Sequence, residues 1–248
     1  MWVIAHKKQE QKQKQQSHSN RCLKTLYLNY CRQAKTMTEL AQLKLYATGE
    51  HSCSYLPEQQ AATVFIDPEA TLDPQVYSAL SELGFRRSGA HVYKPHCADC
   101  AACISVRIPV NAFTPNRTQK RCLKRNSDLT INATSTPNID EHYNLYERYI
   151  NLRHNDGDMY PANRQQYTGF LNNPLGCTQY IEMRLKGELI GCAVSDTLSN
   201  GLSAIYTYFC PHQTQRSLGR FAILHQIQRA QKQGLAYVYL GYWIKNCD

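Results

Sequence analysis

Several features that would place a protein outside the cytoplasm are missing from this chain. No stretch approaches the roughly 20 consecutive apolar residues that a membrane-spanning helix needs. The first residues, MWVIAHKK, lack the long apolar run and the small-residue cleavage site of a secretory signal. The chain has 11 cysteines, an odd number, and three of them form a CxxCxxC cluster. A disulfide scaffold is not indicated, because such scaffolds are typical of short secreted chains. The sequence therefore predicts a reduced, cytoplasmic protein.

Positive charge is in excess, but the excess is confined to one part of the chain. The formal net charge is +9 over 248 residues. Residues 1–36 contain eight Lys or Arg and one acid, while residues 37–248 contain 20 Lys or Arg and 18 acids. Net charge therefore gives no argument for nucleic-acid binding, and any such affinity must come from local clusters of charge.

Composition divides the chain into three segments. Residues 1–36 are polar and of low complexity, which predicts a disordered or extension leader, with Met37 as a plausible true start. Residues 37–113 are expected to form a smaller α+β domain that contains the cysteine cluster, and residues 114–248 a second, larger domain. The chain stops just past its last predicted strand, so the C-terminal domain is expected to be incomplete.

The larger domain shows a regular alternation of predicted elements. In order, we expect a strand at 129–135, helices at 139–155 and 164–171, strands at 178–185, 189–197 and 202–209, a helix at 216–234 and a buried strand at 235–243. This β-α-α-β-β-β-α-β order is that of an N-acetyltransferase-like (GNAT) mixed sheet with flanking helices. The predicted fold class is therefore α+β.

An acetyl-coenzyme A N-acetyltransferase is one functional alternative. In that fold, a Gln/Arg-x-x-Gly-x-Gly/Ala loop opens the main helix and cradles a pyrophosphate with backbone N–H groups. The segment from Arg216 to Phe221, RSLGRF, matches half of this pattern. Phe221 replaces the second small residue and would crowd a pyrophosphate, which argues against this cofactor.

The strongest candidate for a metal site is a set of four cysteines. Cys97, Cys100 and Cys103 are spaced by three, and Cys53 lies in a loop before Tyr55. Thiolates at this spacing can converge on a zinc ion or an iron–sulfur cluster. His96 and His51 are alternative fourth ligands, and a simple packing role for reduced thiols is the alternative to metal binding.

A cationic block follows the cysteines. Between residues 117 and 125 there are five positive charges and no acid, namely Arg117, Lys120, Arg121, Lys124 and Arg125. Thr114-Pro115 predict a helix from about residue 115 to 126, which places part of the block on one face. Such a face suits a polyphosphate backbone, although a charge run is often only a solvated surface. Arg86 and Arg87 are weaker candidates, because they flank a predicted hairpin.

Several long segments resemble one family of enzymes. HSCSYLPEQQA, GFRRSGAHVYKPHCADCAACISVRIPV, RTQKRCLKRN, LYERYINLRHNDGDMYP, AIYTYFCP, RSLGRFAILHQI and YVYLGYWIKNC are similar to bacterial aminoacyl-tRNA–protein transferases of the N-degron pathway, and more narrowly to aspartate/glutamate leucyltransferases. The resemblance extends from about residue 43 to 247. In that family the chain usually continues past the position of Cys247.

The resemblance implies a reaction and its partners. Leucine would move from the ester of Leu-tRNA to the α-amine of a protein that begins with Asp or Glu, which marks that protein for N-end-rule degradation. No cofactor is required for this chemistry, because the ester is already activated. The basic block would hold the tRNA acceptor stem, and Gly219 its 3′ end. Relatives have also been linked to zinc-like or iron–sulfur ligation by N-terminal cysteines.

The resemblance also directs attention to particular side chains. Arg107 and Arg153 are candidates to bind the acidic N-terminus, since a guanidinium can hold a carboxylate with two hydrogen bonds; structural salt bridges are the alternative. Tyr160 is expected to line the leucyl pocket or to bind the ester. Asp158 would accept a hydrogen bond from the substrate ammonium, or else cap its own loop. His154 is a weaker candidate for a general base.

Two tyrosines complete the catalytic candidates. Tyr206 and Tyr208 lie on one predicted strand, and strand alternation is expected to turn one of them into the core while the other meets the substrate. Two further functions remain open at this stage. One is transfer of arginine instead of leucine, and the other is a non-enzymatic, thiol-stabilised RNA-binding module.

Overall fold

Two larger β-sheets, a two-stranded ladder and five helices of eight residues or more make up most of the described part of the chain. The computed structural model describes residues 40–171, 175–245 and 247. In chain order, the elements are β1 (Leu45–Ala47), β2 (His51–Ser52), β3 (Gln60–Ala61), β4 (Thr63–Ile66), α1 (Pro74–Glu82), β5 (Arg86–Ser88), β6 (His91–Pro95), β7 (Ile104–Pro109), α2 (Arg117–Arg125), β8 (Thr130–Thr134), α3 (Ile139–Arg153), α4 (Arg164–Leu171), β9 (Thr178–Leu185), β10 (Glu188–Thr197), β11 (Gly201–Phe209), a 3₁₀ turn (Thr214–Arg216), α5 (Leu218–Lys232) and β12 (Tyr237–Trp243). A short β2–β3 ladder lies apart from both sheets. The predicted 1–36 leader lies outside the described residues.

The larger sheet has six strands in the order β7-β12-β11-β10-β9-β8. Every neighbouring pair is antiparallel except β11 and β12, which run parallel. That parallel pairing is short, because it extends only from Gly201 opposite Tyr237 to Ser203 opposite Tyr239. Beyond these residues β11 continues beside β10 and β12 continues beside β7. The sheet is thus mixed, as predicted. Its two parallel strands, β11 and β12, are paired only up to Ser203 and Tyr239 and separate after these residues.

Helices cover both faces of this sheet. On one face, Ile227 and Ala230 of α5 pack against Leu202 and Val238. On the other face, a cluster rich in tyrosines joins α3 and α4 to β10 and β11. Successive residues of a strand point to opposite faces, which is why Val238 and Tyr239 have different surroundings. The α+β class with flanking helices is confirmed.

The smaller sheet has the strand order β1-β4-β6-β5 and is followed by β7 of the larger one. Its helix, α1, is capped by Asp73, which accepts hydrogen bonds from the N–H groups of Gln75 and Val76 at 2.7 and 2.8 Å. Strand β7, which the sequence assigned to the N-terminal domain, pairs with β12. The two sheets therefore interlock at this point of the chain, and Lys44–Asp248 form one compact unit.

The start of α2 differs from the expectation. The N-cap is Asn116 instead of Thr114, since Asn116 and Gln119 exchange side-chain and backbone hydrogen bonds at 2.8 and 2.9 Å. This reciprocal capping box satisfies two N–H groups that would otherwise lack partners. The first turn of α2 consequently begins at Arg117, the first residue of the cationic block. Within the described residues, no helix combines the length and apolar character needed to cross a membrane.

Candidate functional site

The cationic block forms an open groove on α2. Arg117, Lys120, Arg121 and Lys124 are exposed and line one groove of about 430 Å³. Among the described residues, none of the four forms an ion pair with a carboxylate. Their charges are therefore free to attract a polyanion, as phosphate-binding surfaces require.

The fifth member of the block faces a different way. Arg125 donates a hydrogen bond to the carbonyl of Gln215, just before α5. Beside it, both terminal nitrogens of Arg216 bind the carboxylate of Asp128 at 2.8 Å. The end of α2 is thereby fastened to the start of α5, so Arg125 has a structural contact that the other four lack.

Gly219 lies in the first turn of α5, close to an aromatic ring. A Cβ built at Gly219 would lie 3.4 Å from the ring of Phe209. Phe221 is only 5% exposed and packs in the core with Leu218 and Ala222. Its ring points inward, so it does not crowd the space in front of the helix. The expectation that Phe221 would obstruct a coenzyme A pyrophosphate is therefore wrong.

The four predicted cysteines come together. Cys53, Cys97, Cys100 and Cys103 line a single small cavity of about 50 Å³, together with Tyr55 and Ile244. All four are unpaired thiols of intermediate exposure. Burial raises the pKa of Cys103, and the charges of Cys97 and Cys53 raise it further. The alternative ligands, His51 and His96, do not line the cavity.

The thiols do not form a ready-made ligand set. In the part of the chain that the structure describes, no three His, Cys, Asp or Glu side chains are arranged to hold a metal ion. Cys97 instead donates to the carbonyl of Ala62 at 3.8 Å, and Cys53 accepts from the N–H of Tyr55 at 3.5 Å. Cys247, for which the sequence offered no partner, lies near enough that its charge also raises the pKa of Cys103. The donor chemistry fits a thiophilic metal, and the metal site stays a prediction.

The two arginines expected to bind an acidic N-terminus lie in different places. Arg107 is on β7, where its guanidinium carbon is 4.0 Å from the centre of the Tyr237 ring. Arg153 ends α3 and lies 5.5 Å from the centre of the Phe209 ring. Neither forms a salt bridge within the described residues. Both guanidiniums are therefore stacked on aromatic rings with hydrogen-bond donors to spare.

Asp158 and Tyr160 are exposed on the loop after α3. Tyr160 is 49% exposed, and its N–H donates to the carbonyl of Gly157 at 3.0 Å. Asp158 contributes to the raised pKa of Tyr55, after burial and the neighbouring cysteines. Nearby, His154 binds the hydroxyl of Tyr149 at 3.0 Å. The loop is accessible to a substrate, and its catalytic roles stay predictions.

Tyr206 and Tyr208 are oriented differently from the expectation. Residues two apart on a strand share a face, so both rings contact the ring of Tyr146. Tyr208 is fully buried, whereas Tyr206 is of intermediate exposure. The premise that alternation separates them is wrong. The two tyrosines belong to the same aromatic cluster and differ in how far each side chain is buried.

A buried polar relay escaped the sequence reasoning. His142 of α3 binds the hydroxyl of Tyr208 at 2.7 Å and the carboxylate of Glu182 at 2.9 Å. Tyr208 in turn meets the hydroxyl of Tyr167 at 3.2 Å. Burial lowers the pKa of His142, although the hydrogen bond to Glu182 acts in the opposite direction. The available signal was Glu182 itself, a charged residue in the middle of an otherwise buried strand.

Arg86 and Arg87 are both buried, at 5% and 4% exposure. Arg87 is bound to Asp196, and Arg86 donates to the hydroxyl of Ser105 at 2.8 Å. Phosphate contact requires exposed cations, so the structure removes both residues as tRNA-binding candidates.

Family models and individual relatives place the chain in the same family. The family model for the N terminus of arginine-tRNA-protein transferase matches residues 51–121, and the model for its C terminus matches residues 141–248. The chain is 57% identical to an aspartate/glutamate leucyltransferase of Teredinibacter turnerae over 85% of this chain and 87% of that protein. It is 56% identical to the corresponding protein of Saccharophagus degradans, over 86% of this chain and 90% of that one.

Similarity to solved structures is more distant. The structure of L-PGS from Bacillus licheniformis matches with a TM-score of 0.45 and 9% identity, over 67% of this chain and 49% of that chain. The sequence relatives are far more informative, because they cover most of both chains. This chain belongs to the arginine-tRNA-protein transferase family, alongside the bacterial aspartate/glutamate leucyltransferases.

Proposed function

We propose that this protein transfers leucine from Leu-tRNA to the N-terminal α-amine of proteins that begin with Asp or Glu. The observation that carries the proposal is the 57% identity to an aspartate/glutamate leucyltransferase over 87% of that protein's length. The unneutralised groove on α2 supplies the independent structural support, because the donor is a polyanion.

The chemistry makes modest demands on the protein. The neutral amine attacks the ester carbonyl, an amide bond forms, the ester C–O bond breaks, and the ribose hydroxyl of the tRNA takes up a proton. The acceptor ammonium must first lose its proton, and its ordinary pKa is about 7.7–8.0. Positioning two reactants can contribute about 7–11 kcal/mol in favourable cases. Binding and orientation are therefore the main tasks of the side chains.

We assign the donor to the α2 side of the molecule. Arg117, Lys120, Arg121 and Lys124 would contact phosphates of the acceptor stem, and the N–H groups at Gly219 would receive its 3′ end. Arg125 connects this surface to the start of α5, since it donates a hydrogen bond to the carbonyl of Gln215. Contacts with phosphates give an affinity that falls as salt is added and that depends little on the base sequence of the tRNA.

The leucyl group is assigned to the loop after α3 and the aromatic cluster beside it. Tyr160 and Tyr206 would line the leucyl pocket, and Asp158 would cap its own loop. Tyr208 is fully buried, so its part is to hold the cluster in place through His142 and Tyr167. Arg107 and Arg153 are both candidates for the acidic side chain, because both guanidiniums are exposed beside aromatic rings.

A GNAT-like fold is also part of the proposal. The short parallel contact between β11 and β12, followed by their separation beyond Ser203 and Tyr239, supports it. In this arrangement, the unpaired strand edges can receive an acyl group between them. We propose in addition that Cys53, Cys97, Cys100 and Cys103 hold a zinc ion or an iron–sulfur cluster, which would stabilise the N-terminal part and take no part in the transfer.

Radiolabelled donors provide the test. Leu-tRNA and Arg-tRNA are each incubated with peptides that begin with Asp, Glu, Lys or Arg. We expect label from Leu-tRNA on the Asp and Glu peptides only. Label from Arg-tRNA would assign the other branch of the family, and tRNA binding without any transfer would indicate a non-enzymatic RNA-binding module. Stabilisation by millimolar coenzyme A would instead favour an acetyltransferase.

A further inference from the structure

A second cationic cavity lies between the end of α1 and the β7–β12 edge of the large sheet. Its volume is about 390 Å³, within the range of about 300–1,000 Å³ that is usual for small-ligand sites. The side chains that matter for binding are contributed by α1, β6, β7 and β12. They are Glu82, Lys94, Ser105, Arg107, Tyr239 and Tyr242.

The two exposed cations of this cavity have no anionic partner among the residues that the structure describes. Lys94 donates to the carbonyl of Leu83 at 3.0 Å and lies 5.9 Å from the centre of the Phe85 ring. Arg107 rests on the ring of Tyr237. Within the described ranges neither contacts a carboxylate. Both therefore retain donors that can bind an anionic group.

A third cation, Arg86, contacts residues that line the cavity. It is 5% exposed and donates to the hydroxyl of Ser105 at 2.8 Å and to the carbonyls of Ser81, Phe85 and Val106 at 3.0, 2.6 and 3.4 Å. Its guanidinium carbon is 5.4 and 5.8 Å from the ring centres of Tyr239 and Tyr242. Its Nε has no hydrogen-bond partner within the described residues, and burial lowers its pKa. A buried charge without a counter-ion is costly, and an anion bound above it would offset that cost.

The cavity also contains one carboxylate, and this distinguishes its ligand from RNA. Glu82 accepts a hydrogen bond from Asn200 through Oε1 at 2.6 Å. Its second oxygen faces no cation of the protein within the described residues. An RNA phosphate would gain from Lys94 and Arg107 but would be repelled by Glu82. An N-terminal Asp or Glu carries an ammonium and a carboxylate together, and so matches groups of both signs.

The position of the cavity in the sheet agrees with an acceptor site. Tyr239 is the last residue of the β11–β12 parallel pairing, and it also lines the cavity. The cavity therefore lies on the β7 side of the place where the two strands separate. The groove that we assign to tRNA lies on α2 and shares no residue with it.

We infer that this cavity binds the acidic N-terminal residue of the acceptor, with its side-chain carboxylate on Lys94 and Arg107 and its ammonium directed to Glu82. The inference rests on the proposed leucyl transfer and adds the site that selects Asp and Glu. Arg107 is thus the residue of the predicted pair that reads the acidic side chain, and Lys94 and Glu82 are specificity residues that sequence reasoning missed.

The test compares two double variants of the full chain. Lys94→Gln/Arg107→Gln removes the cavity's exposed cations, and the matched control Arg148→Gln/Lys232→Gln removes two exposed cations elsewhere. For peptides starting with Asp or Asn, we measure binding by fluorescence anisotropy and leucine transfer by KM and kcat; Leu-tRNA affinity is measured separately. We expect the cavity variant to raise KM for the Asp peptide about 10- to 100-fold, the size expected when hydrogen bonds to a charged group are removed. The preference of the cavity variant for Asp over Asn should disappear. The control should keep the wild-type KM for the Asp peptide and the preference for Asp over Asn.

The outcomes separate this inference from the proposed function. If the wild-type protein prefers the Asp peptide, the cavity variant loses that preference and neither transfers leucine, the function is wrong and the cavity assignment stands. If leucine is transferred and the cavity variant matches the control for the Asp peptide, the cavity assignment is wrong. Loss of tRNA affinity with unchanged Asp preference would also overturn it, because the cavity would then hold RNA phosphate.

Discussion

The guanidinium of Arg87 binds the carboxylate of Asp196 across 109 positions of the chain. One contact, from Nη2 to Oδ1, is 2.8 Å long, and both side chains are essentially inaccessible to solvent. The hydroxyls of Thr178 and Tyr77 complete the shell around Asp196 at 2.6 and 2.9 Å. This ion pair fastens β5 of the small sheet to β10 of the large one, and the hydrogen bond from Tyr77 adds α1 to the same contact.

Breaking this buried pair should be strongly destabilising. Asp196→Asn leaves the Arg87 charge without its partner, and we expect a loss of about 3–5 kcal/mol in the free energy of unfolding. Urea denaturation provides the measurement. The matched control is Asp140→Asn, which removes the exposed partner of Arg164 and should cost at most about 1 kcal/mol. Equal losses in the two variants would show that the buried pair contributes nothing beyond a surface pair.

Neutralising the α2 groove should weaken tRNA binding in a salt-dependent manner. For Lys120→Gln/Lys124→Gln we expect a lower affinity, and a slope of log affinity against log salt that is reduced by about one for each phosphate that the protein no longer neutralises. Filter binding of Leu-tRNA across a series of KCl concentrations measures both quantities. The variant Arg148→Gln/Lys232→Gln again serves as the charge-matched control. An unchanged slope in the groove variant would contradict the donor-site assignment.

The buried His142 should make stability fall on mild acidification. Its pKa is lowered by burial, so the folded state holds it neutral while the unfolded chain takes up a proton below about pH 6.5. Stability should therefore decline as the pH falls from about 6.5 to 5, a window above the titration of ordinary carboxyl groups. His142→Gln should flatten this decline, measured as the urea midpoint at each pH.

A second histidine contributes in the same window and has to be separated. Burial, together with Arg229 and Lys232, lowers the pKa of His225. His225→Gln alone should remove part of the pH dependence, and the double variant more than either single one. The Glu182 carboxylate, whose pKa is lowered by hydrogen bonds from Arg184 and His142 despite burial, acts only at lower pH. If stability falls with pH in the double variant as it does in the wild type, this explanation is wrong.

Metal content provides a direct test of the cysteine cavity. We expect about one zinc ion, or one iron–sulfur cluster, for each chain. Cys97→Ser/Cys103→Ser should lose the metal and lower the melting temperature, and chelation of the wild-type protein should lower it similarly. Elemental analysis and visible absorption distinguish the two kinds of centre. Cys210→Ser, outside the cavity, should retain full metal content; a wild-type protein that is metal-free after anaerobic purification would refute the site.

Features encoded locally could be predicted from the sequence. The helix from Arg164 to Leu171 and the strand from Thr178 to Leu185 have the bounds that periodicity and turn residues indicated. The clustering of cations on α2 followed from helical spacing, and the α+β class followed from the order of elements. The long, specific motifs placed the chain in its family before any coordinate was known.

Contacts between distant residues had to come from the tertiary structure. His142 meets Glu182 from 40 positions away, and Arg87 meets Asp196 from 109. No periodicity within a single element encodes such pairs, because they depend on how strands and helices are stacked. The same holds for the acceptor cavity, whose walls come from four separate elements. The sequence by itself determined the family, the elements and the cationic helix, whereas the stacking of the two sheets decided which charges are buried and which remain free to bind a substrate.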